Sequence, residues 1–202
     1  DKSGNLIAIG KQFEEDLVVT DVDLEKGLAE KVSPPPYQRE QEMFNAIVLG
    51  IRDYFRKTGF KKAIIGISGG IDSSLTTCIA TEALGKENVI GVSMPSIFSS
   101  EHSKADAQKL AENLGICFIQ FPVQDIVNAY HKTLEKPLEE IRKHFGLKKE
   151  SDDPVADENI QPRTRGNCLM DISNRLKDLK MLVVNTGNKT ELALGDGTWY
   201  GD

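Results

Sequence analysis

No apolar run in this chain approaches the ~20 residues that a helix needs to cross a bilayer, and its first residues carry no secretory leader pattern. A membrane partner is therefore not expected. Cysteine is scarce. Cys78, Cys117 and Cys168 are an odd number without C-x-x-C spacing, set among apolar residues, so they read as core thiols of a reducing compartment, with the cytoplasm as the expected setting. Basic residues are outnumbered, 25 Lys and Arg against 31 Asp and Glu, and the net charge of −6 argues against nucleic acid as the main partner. Apolar residues, at 39%, suffice for a packed core, and 202 residues allow one ordinary domain or one domain with a piece of another. A start at Asp1 without methionine and an end at Gly201-Asp202 lead us to expect a fragment at both ends.

The chain is organised around Lys61 to Leu84. Ala63 to Ile67 is a short apolar run that reads as a buried strand, and it stops at Ser68-Gly69-Gly70. Asp72, Ser73 and Ser74 then open a segment whose apolar residues Leu75, Cys78, Ile79 and Ala83 recur at helical spacing. A strand, a glycine turn and a helix N-terminus together collect free backbone N–H groups around an anion. Adjacent glycines let the backbone approach a phosphate with no Cβ in the way. The hydroxyls of Ser68, Ser73 and Ser74 add donors, and Asp72 can hold a magnesium ion beside the phosphates. No Gly-Lys-Ser/Thr follows at the spacing of a Walker loop. Gly66 to Gly70 also fits G-x-S-x-G, the nucleophile elbow of serine hydrolases, and any α/β domain needs a capped strand-to-helix turn.

Before this stretch, Leu6 to Ile9 and Leu17 to Leu24 read as short strands, a preface too small to fold alone, and Glu25 to Tyr37 with its three prolines reads as a linker. Gln38 to Thr58 is an amphipathic helix closed by Gly59. After the glycine loop come a strand at Asn88 to Met94, a helix from about Ser100 to Leu114, and a strand at Ile116 to Phe121. Helices are expected at Gln124 to Glu135 and Pro137 to Phe145, then a polar loop at Lys148 to Asp157. A helix over Asn159 to Leu179 and a strand at Met181 to Asn185 complete the order. Strands alternating with helices predict a parallel sheet, with ligands outside the strands' carboxyl ends. Ser68, Met94 and Thr186 all lie at such ends.

Two further motifs carry chemistry. In Glu158-Asn159-Ile160-Gln161-Pro162-Arg163-Thr164-Arg165-Gly166 the arginines can pair with phosphates or a carboxylate, and Asn159 can bond a ring amide or a ribose. Alone, the stretch is a helix start with solvated arginines. In Val184-Asn185-Thr186-Gly187-Asn188-Lys189-Thr190-Glu191, Thr186 can reach a nucleotide, Lys189 a phosphate and Glu191 a magnesium ion. Alone, it is a capped turn.

SGGIDSS resembles the pyrophosphate loop of synthetases that cleave ATP to AMP and pyrophosphate. Together with ENIQxRxRG and TGNKTE, in this order, it resembles the synthetase domain of glutamine-dependent NAD synthetase over about Tyr37 to Asp202. The resemblance implies an α/β fold, a doubly wound parallel sheet of the adenine-nucleotide α-hydrolase-like type, preceded here by a short β preface. Residues 1–24 resemble the tail of a nitrilase-like glutaminase domain, which makes 25–37 a linker and 38–202 the synthetase domain, expected to be truncated.

The implied activity is a ligase of NAD biosynthesis. The carboxylate of deamido-NAD is adenylated by ATP, and ammonia, taken from glutamine in the full-length protein, then displaces AMP. By motif, Gly66, Ile67, Ser68, Gly69, Gly70, Ile71, Asp72, Ser73, Thr186 and Lys189 bind ATP. Asp72 and Glu191 hold Mg²⁺, and Asn159, Arg163 and Glu191 face deamido-NAD, with no protein nucleophile. The family further implies a homo-oligomer whose dimer contact completes the site.

The chain departs from the family at Pro162, where alanine is usual, and at Asp196-Gly197, where a tyrosine is lost. Pro162 is expected in a first helical turn, where proline is tolerated. Lys177 to Lys180 is expected to form a longer turn than usual. Two other readings remain: a hydrolase using Ser68 with His102, His131 or His144, and a nucleotide-binding fragment without turnover.

Overall fold

A computed structural model describes residues 1–23, 25, 32–36, 38–149, 153–198 and 200–201. The chain divides into two compact units, 1–50 and 51–202. In the first, residues 1–23 contain no strand. This corrects the expected β preface. Leu17 and Val19 are 86% and 87% exposed, and no neighbouring strand pairs with their backbone among the described residues, so alternation alone leaves them extended but unladdered. Instead, carboxylates hold local turns: Asp1 accepts from the N–H groups of Ser3 and Asn5, and Asp16 from that of Lys11. Most of the expected linker lies outside the described residues. Helix α1 (Arg39–Thr58) runs through the division between the units.

The second unit carries β1 (Lys62–Gly66), α2 (Ile71–Leu84), β2 (Val89–Ser93), α3 (Glu101–Leu114), β3 (Cys117–Gln120), α4 (Gln124–Phe145), α5 (Val155–Arg175), β4 (Met181–Val183) and α6 (Lys189–Leu194). The four strands form a parallel sheet in the order β3-β2-β1-β4. Side chains alternate along β1, and the core divides accordingly. Ala63 and Ile65, with Ile67, pack with Phe55, Ala80, Ala107 and Ala111 from the helical layer of α1, α2 and α3. Ile64 faces the other way, against Val123 and Leu169. Ile64 and Ile65 are fully buried, each contributing about 1.5–3 kcal/mol of transfer free energy. This is the doubly wound α/β class.

Three boundaries differ from the sequence-based expectation. Helix α4 is continuous through Pro137, because Leu134, Leu138 and Ile141 keep one apolar stripe across it. Helix α5 begins at Val155, not Asn159. Pro154 at its N-cap and Asp157 and Glu158 in its first turn suit a helix N-terminus, so acidic residues read as loop are a start signal. Pro162 consequently lies inside α5, where it donates no backbone hydrogen bond. Finally, α5 ends at Arg175, and the expected longer turn is a short 3-10 helix at Lys177–Leu179. The cysteine expectation also needs correction: Cys117 is exposed, on a strand at the sheet edge.

Candidate active site

Outward from β1 the order of the sheet reverses: β2 lies on one side and β4 on the other. The crevice outside the strands' carboxyl ends at such a point is the usual ligand site of open α/β sheets. Ser68 leaves β1 and Thr186 leaves β4 into that crevice, where two adjoining cavities of about 530 and 820 Å³ both take Ser68, Asn185, Thr186 and Tyr200 into their walls. Both lie in the range of small-molecule sites, roughly 300–1,000 Å³.

The first cavity is an apolar slot with polar edges. Val92, Met94, Leu169 and Val183 line it, together with Gly66, Ile67 and the first turn of α3. Arg165, from the second motif, donates from Nε to the carbonyl of Met94 at 3.0 Å and so ties α5 to the end of β2. Lys104 also borders this slot, 2.7 Å from Glu101, whose carboxyl the ammonium holds below the usual carboxylate range by hydrogen bond and charge. An apolar slot edged by strand-end backbone suits a flat heterocycle.

The second cavity opens at the N-terminus of α2. Gly69 has φ +86°, and a Cβ there would lie 2.3 Å from the backbone oxygen of Ser103, so only glycine lets the loop lie against α3. Within the loop, the N–H of Gly70 donates to Ser68 Oγ at 3.1 Å, and the hydroxyls of Ser73 and Ser74 donate to the carbonyl of Gly70. The hydroxyls of these serines thus brace the turn, and the backbone N–H groups opening α2 are the groups that could serve as donors to an anion.

Opposite them is the N-terminus of α6, with Asn188 and Glu191 in a reciprocal capping box. Asp72 and Glu191 both line this cavity, and each is hydrogen-bonded to Asn188. Among the described residues no group of three or more His, Cys, Asp or Glu side chains could by itself hold a metal. Two carboxylates sharing a cavity fit Mg²⁺ nonetheless, since that ion is commonly held by one or two carboxylates with phosphate oxygens completing its shell.

The site residues named from sequence divide. Gly66, Ile67, Ser68, Gly70, Asp72, Ser73, Thr186 and Glu191 line one cavity or the other. Gly69 backs onto α3, and Ile71, Lys189 and Arg163 are exposed outside the two linings. Asn159 reaches the site indirectly, its Oδ1 accepting from the hydroxyl of Thr198 at 2.8 Å. Sequence reasoning passed over Lys104, Tyr200 and Asn188. Asn188 had a readable signal, the Asn-x-x-Glu of a capping box; Lys104 and Tyr200 had none. The candidate histidines are all exposed, and neither cavity is lined by one, which disfavours a hydrolase built on Ser68.

A family model for NAD synthase matches residues 43–202. The chain belongs to the NAD synthase family. It is 41% identical to the glutamine-dependent NAD(+) synthetase of Thermotoga maritima, across 100% of this chain and 38% of that protein. It is 38% identical to the NH(3)-dependent NAD(+) synthetase of Methanosarcina mazei, across 78% of this chain and 56% of that protein. In structure it resembles the glutamine-dependent NAD+ synthetase of Acinetobacter baumannii, solved in complex with ADP, with a TM-score of 0.73 and 38% identity over 84% of this chain and 30% of that one. As a NAD synthase family member, this chain thus spans well under half the length of the glutamine-dependent relatives.

Proposed function

We propose that this chain carries the synthetase site of a glutamine-dependent NAD synthetase and converts deamido-NAD to NAD at the expense of ATP. The observation that carries this reading is the meeting of the β1 and β4 loops, Ser68 in one and Thr186 in the other, around two joined cavities. In this reading the slot beside Met94 and Leu169 takes adenosine, and the α2 N-terminus takes the phosphates. Asn159 and Thr198 lie on the deamido-NAD side. Asp72 and Glu191 would hold Mg²⁺, which supplies charge neutralisation for the phosphates when bound.

The reaction needs no protein nucleophile. A carboxylate oxygen of deamido-NAD attacks the α-phosphorus of ATP, the bond to the β-phosphate oxygen breaks, and pyrophosphate leaves. Ammonia nitrogen then attacks the activated carbonyl carbon, the bond to AMP breaks, and a proton is lost as the amide forms. The protein's part is to orient the two substrates, offset phosphate charge with backbone N–H groups, and hold water away from the adenylate.

Residues 1–24 are proposed as the tail of the glutaminase domain, 25–37 as the linker and 38–202 as the synthetase domain. A glutaminase upstream would supply the ammonia. A homo-oligomer is supported by the exposed stripe on α4, where Tyr130, Leu134, Leu138, Ile141 and Phe145 are each at least 38% exposed at helical spacing. The composition supports the cytoplasm as the setting. Among the described residues no helix is long and apolar enough to cross a membrane.

The test is AMP release from ATP, Mg²⁺ and ammonium chloride, with and without deamido-NAD. AMP formed only with deamido-NAD, and matched by NAD, is the expected result. Binding of ATP without AMP release would favour a nucleotide-binding fragment.

A further inference from the structure

Asn188 makes three hydrogen bonds that belong to the cap of α6 and one that capping does not account for. Its Oδ1 accepts from the backbone N–H groups of Thr190 and Glu191, each at 2.9 Å. Its own N–H donates to Glu191 Oε2 at 2.8 Å. Across the crevice its Nδ2 donates to Asp72 Oδ1 at 3.4 Å, a link between residues 116 positions apart. The amide has only one orientation that satisfies this set. Two N–H donors claim the oxygen, so the nitrogen must face the Asp72 carboxylate.

We propose that Asn188 is a positioning residue that holds Asp72 and Glu191 together as one divalent-cation site and so couples the first turn of α2 to the loop after β4. This rests on the proposed function, which places the cation between those carboxylates. Two carboxylates facing one cavity repel each other, and one neutral residue donating to both, from its side-chain amide to Asp72 and from its backbone N–H to Glu191, offsets that repulsion before the cation arrives. Because the same amide caps α6, the position of Asp72 is referred to the N-terminus of that helix. Without this tie the Asp72 side chain, on the first turn of α2, would have its rotamer ordered only by the incoming cation, and binding would weaken by that ordering cost.

The test separates capping from positioning. Asn188→Ser keeps an N-cap of equal quality and keeps the backbone N–H to Glu191, but its hydroxyl is too short to reach Asp72. Mn²⁺ serves as the probe, its binding followed by electron paramagnetic resonance with a non-hydrolysable ATP analogue. The expected result is a three- to tenfold loss of Mn²⁺ affinity. Metal-free affinity for the analogue and the thermal midpoint should stay unchanged; where serine lowers the midpoint, Asn188→Thr provides the second capping hydroxyl. In an Asp72→Asn background the further effect of Asn188→Ser should vanish. Equal Mn²⁺ affinity in wild type and Asn188→Ser, or additive losses in the double variant, overturns the proposal. A wild-type chain that binds the analogue no better with Mn²⁺ than without overturns the proposed function as well.

Discussion

The hydroxyl of Thr198 donates to Oδ1 of Asn159 at 2.8 Å, joining the segment after α6 to the N-terminal part of α5. Two close approaches reinforce that bond. A Cβ on Gly166 would lie 3.1 Å from the backbone oxygen of Tyr200, and one on Gly201 would lie 2.7 Å from the backbone of Arg163. The second motif is therefore in direct contact with the segment that follows α6, although the sequence separates them.

Removing the Thr198 hydroxyl tests the proposed deamido-NAD side of the site. Thr198→Val should raise KM for deamido-NAD about fivefold, as expected for a hydrogen bond of about 1 kcal/mol, with KM for ATP unchanged. Steady-state kinetics with each substrate varied in turn would check this. A rise in both constants would contradict a role confined to the Asn159 side.

Gly69 and Gly50 should respond in opposite senses. Gly69→Ala must accommodate a Cβ 2.3 Å from a backbone oxygen at φ +86°, and should cost about 2–3 kcal/mol. Gly50 lies within α1 with nothing within 4 Å of its would-be Cβ. Gly50→Ala should stabilise by about 0.5–1 kcal/mol through helix propensity. Urea denaturation of the two variants measures both signs, and a Gly69→Ala protein as stable as wild type would show that the loop can leave α3.

Leu169 belongs both to the core and to the apolar slot, and is 8% exposed. Leu169→Ala should destabilise by about 2–4 kcal/mol and also weaken ATP binding. Leu169→Met, which nearly conserves volume, should cost less than about 1.5 kcal/mol and keep ATP binding. Calorimetric titration of both variants distinguishes a slot that contacts the nucleotide from a purely structural position.

Cys117 and Cys168 should differ in reactivity. Burial first, and the Asp171 carboxylate second, push the Cys168 thiol above its ordinary value of 9.0, whereas Cys117 is exposed. Iodoacetamide at pH 8 should modify Cys117 well before Cys168, read by mass spectrometry of the peptides. A thiol raised in the fold contributes its stability fully below the ordinary value, and that contribution is lost as pH rises through the raised one. Unfolding midpoints should therefore fall on the alkaline side of pH 9, and less steeply in Cys168→Ala.

The local chemistry of the glycine loop, the buried strand before it and the parallel α/β class were legible from sequence because each rests on short-range rules: a β-run stopped by glycines, helical spacing, alternating elements. The extended preface was not legible, because alternation at Val18, Thr20 and Val22 specifies a strand only where a partner offers its ladder. The start of α5 was not legible either, because Asp153-Pro154 and the acids after it suit a loop and a helix N-terminus equally.

From its own order of residues, this chain determined which segments could bind phosphate and which could bury against a sheet. Tertiary structure alone decided that β4 would lie beside β1, bringing Thr186 and Glu191 to Ser68 and Asp72. It decided too that Ser73 would brace the loop while lining the cavity, and that Asn188 would reach Asp72. The physical reason is separation. Contacts between residues over a hundred positions apart depend on how the sheet is ordered and how its two faces are packed, and neither is encoded in any one window of sequence.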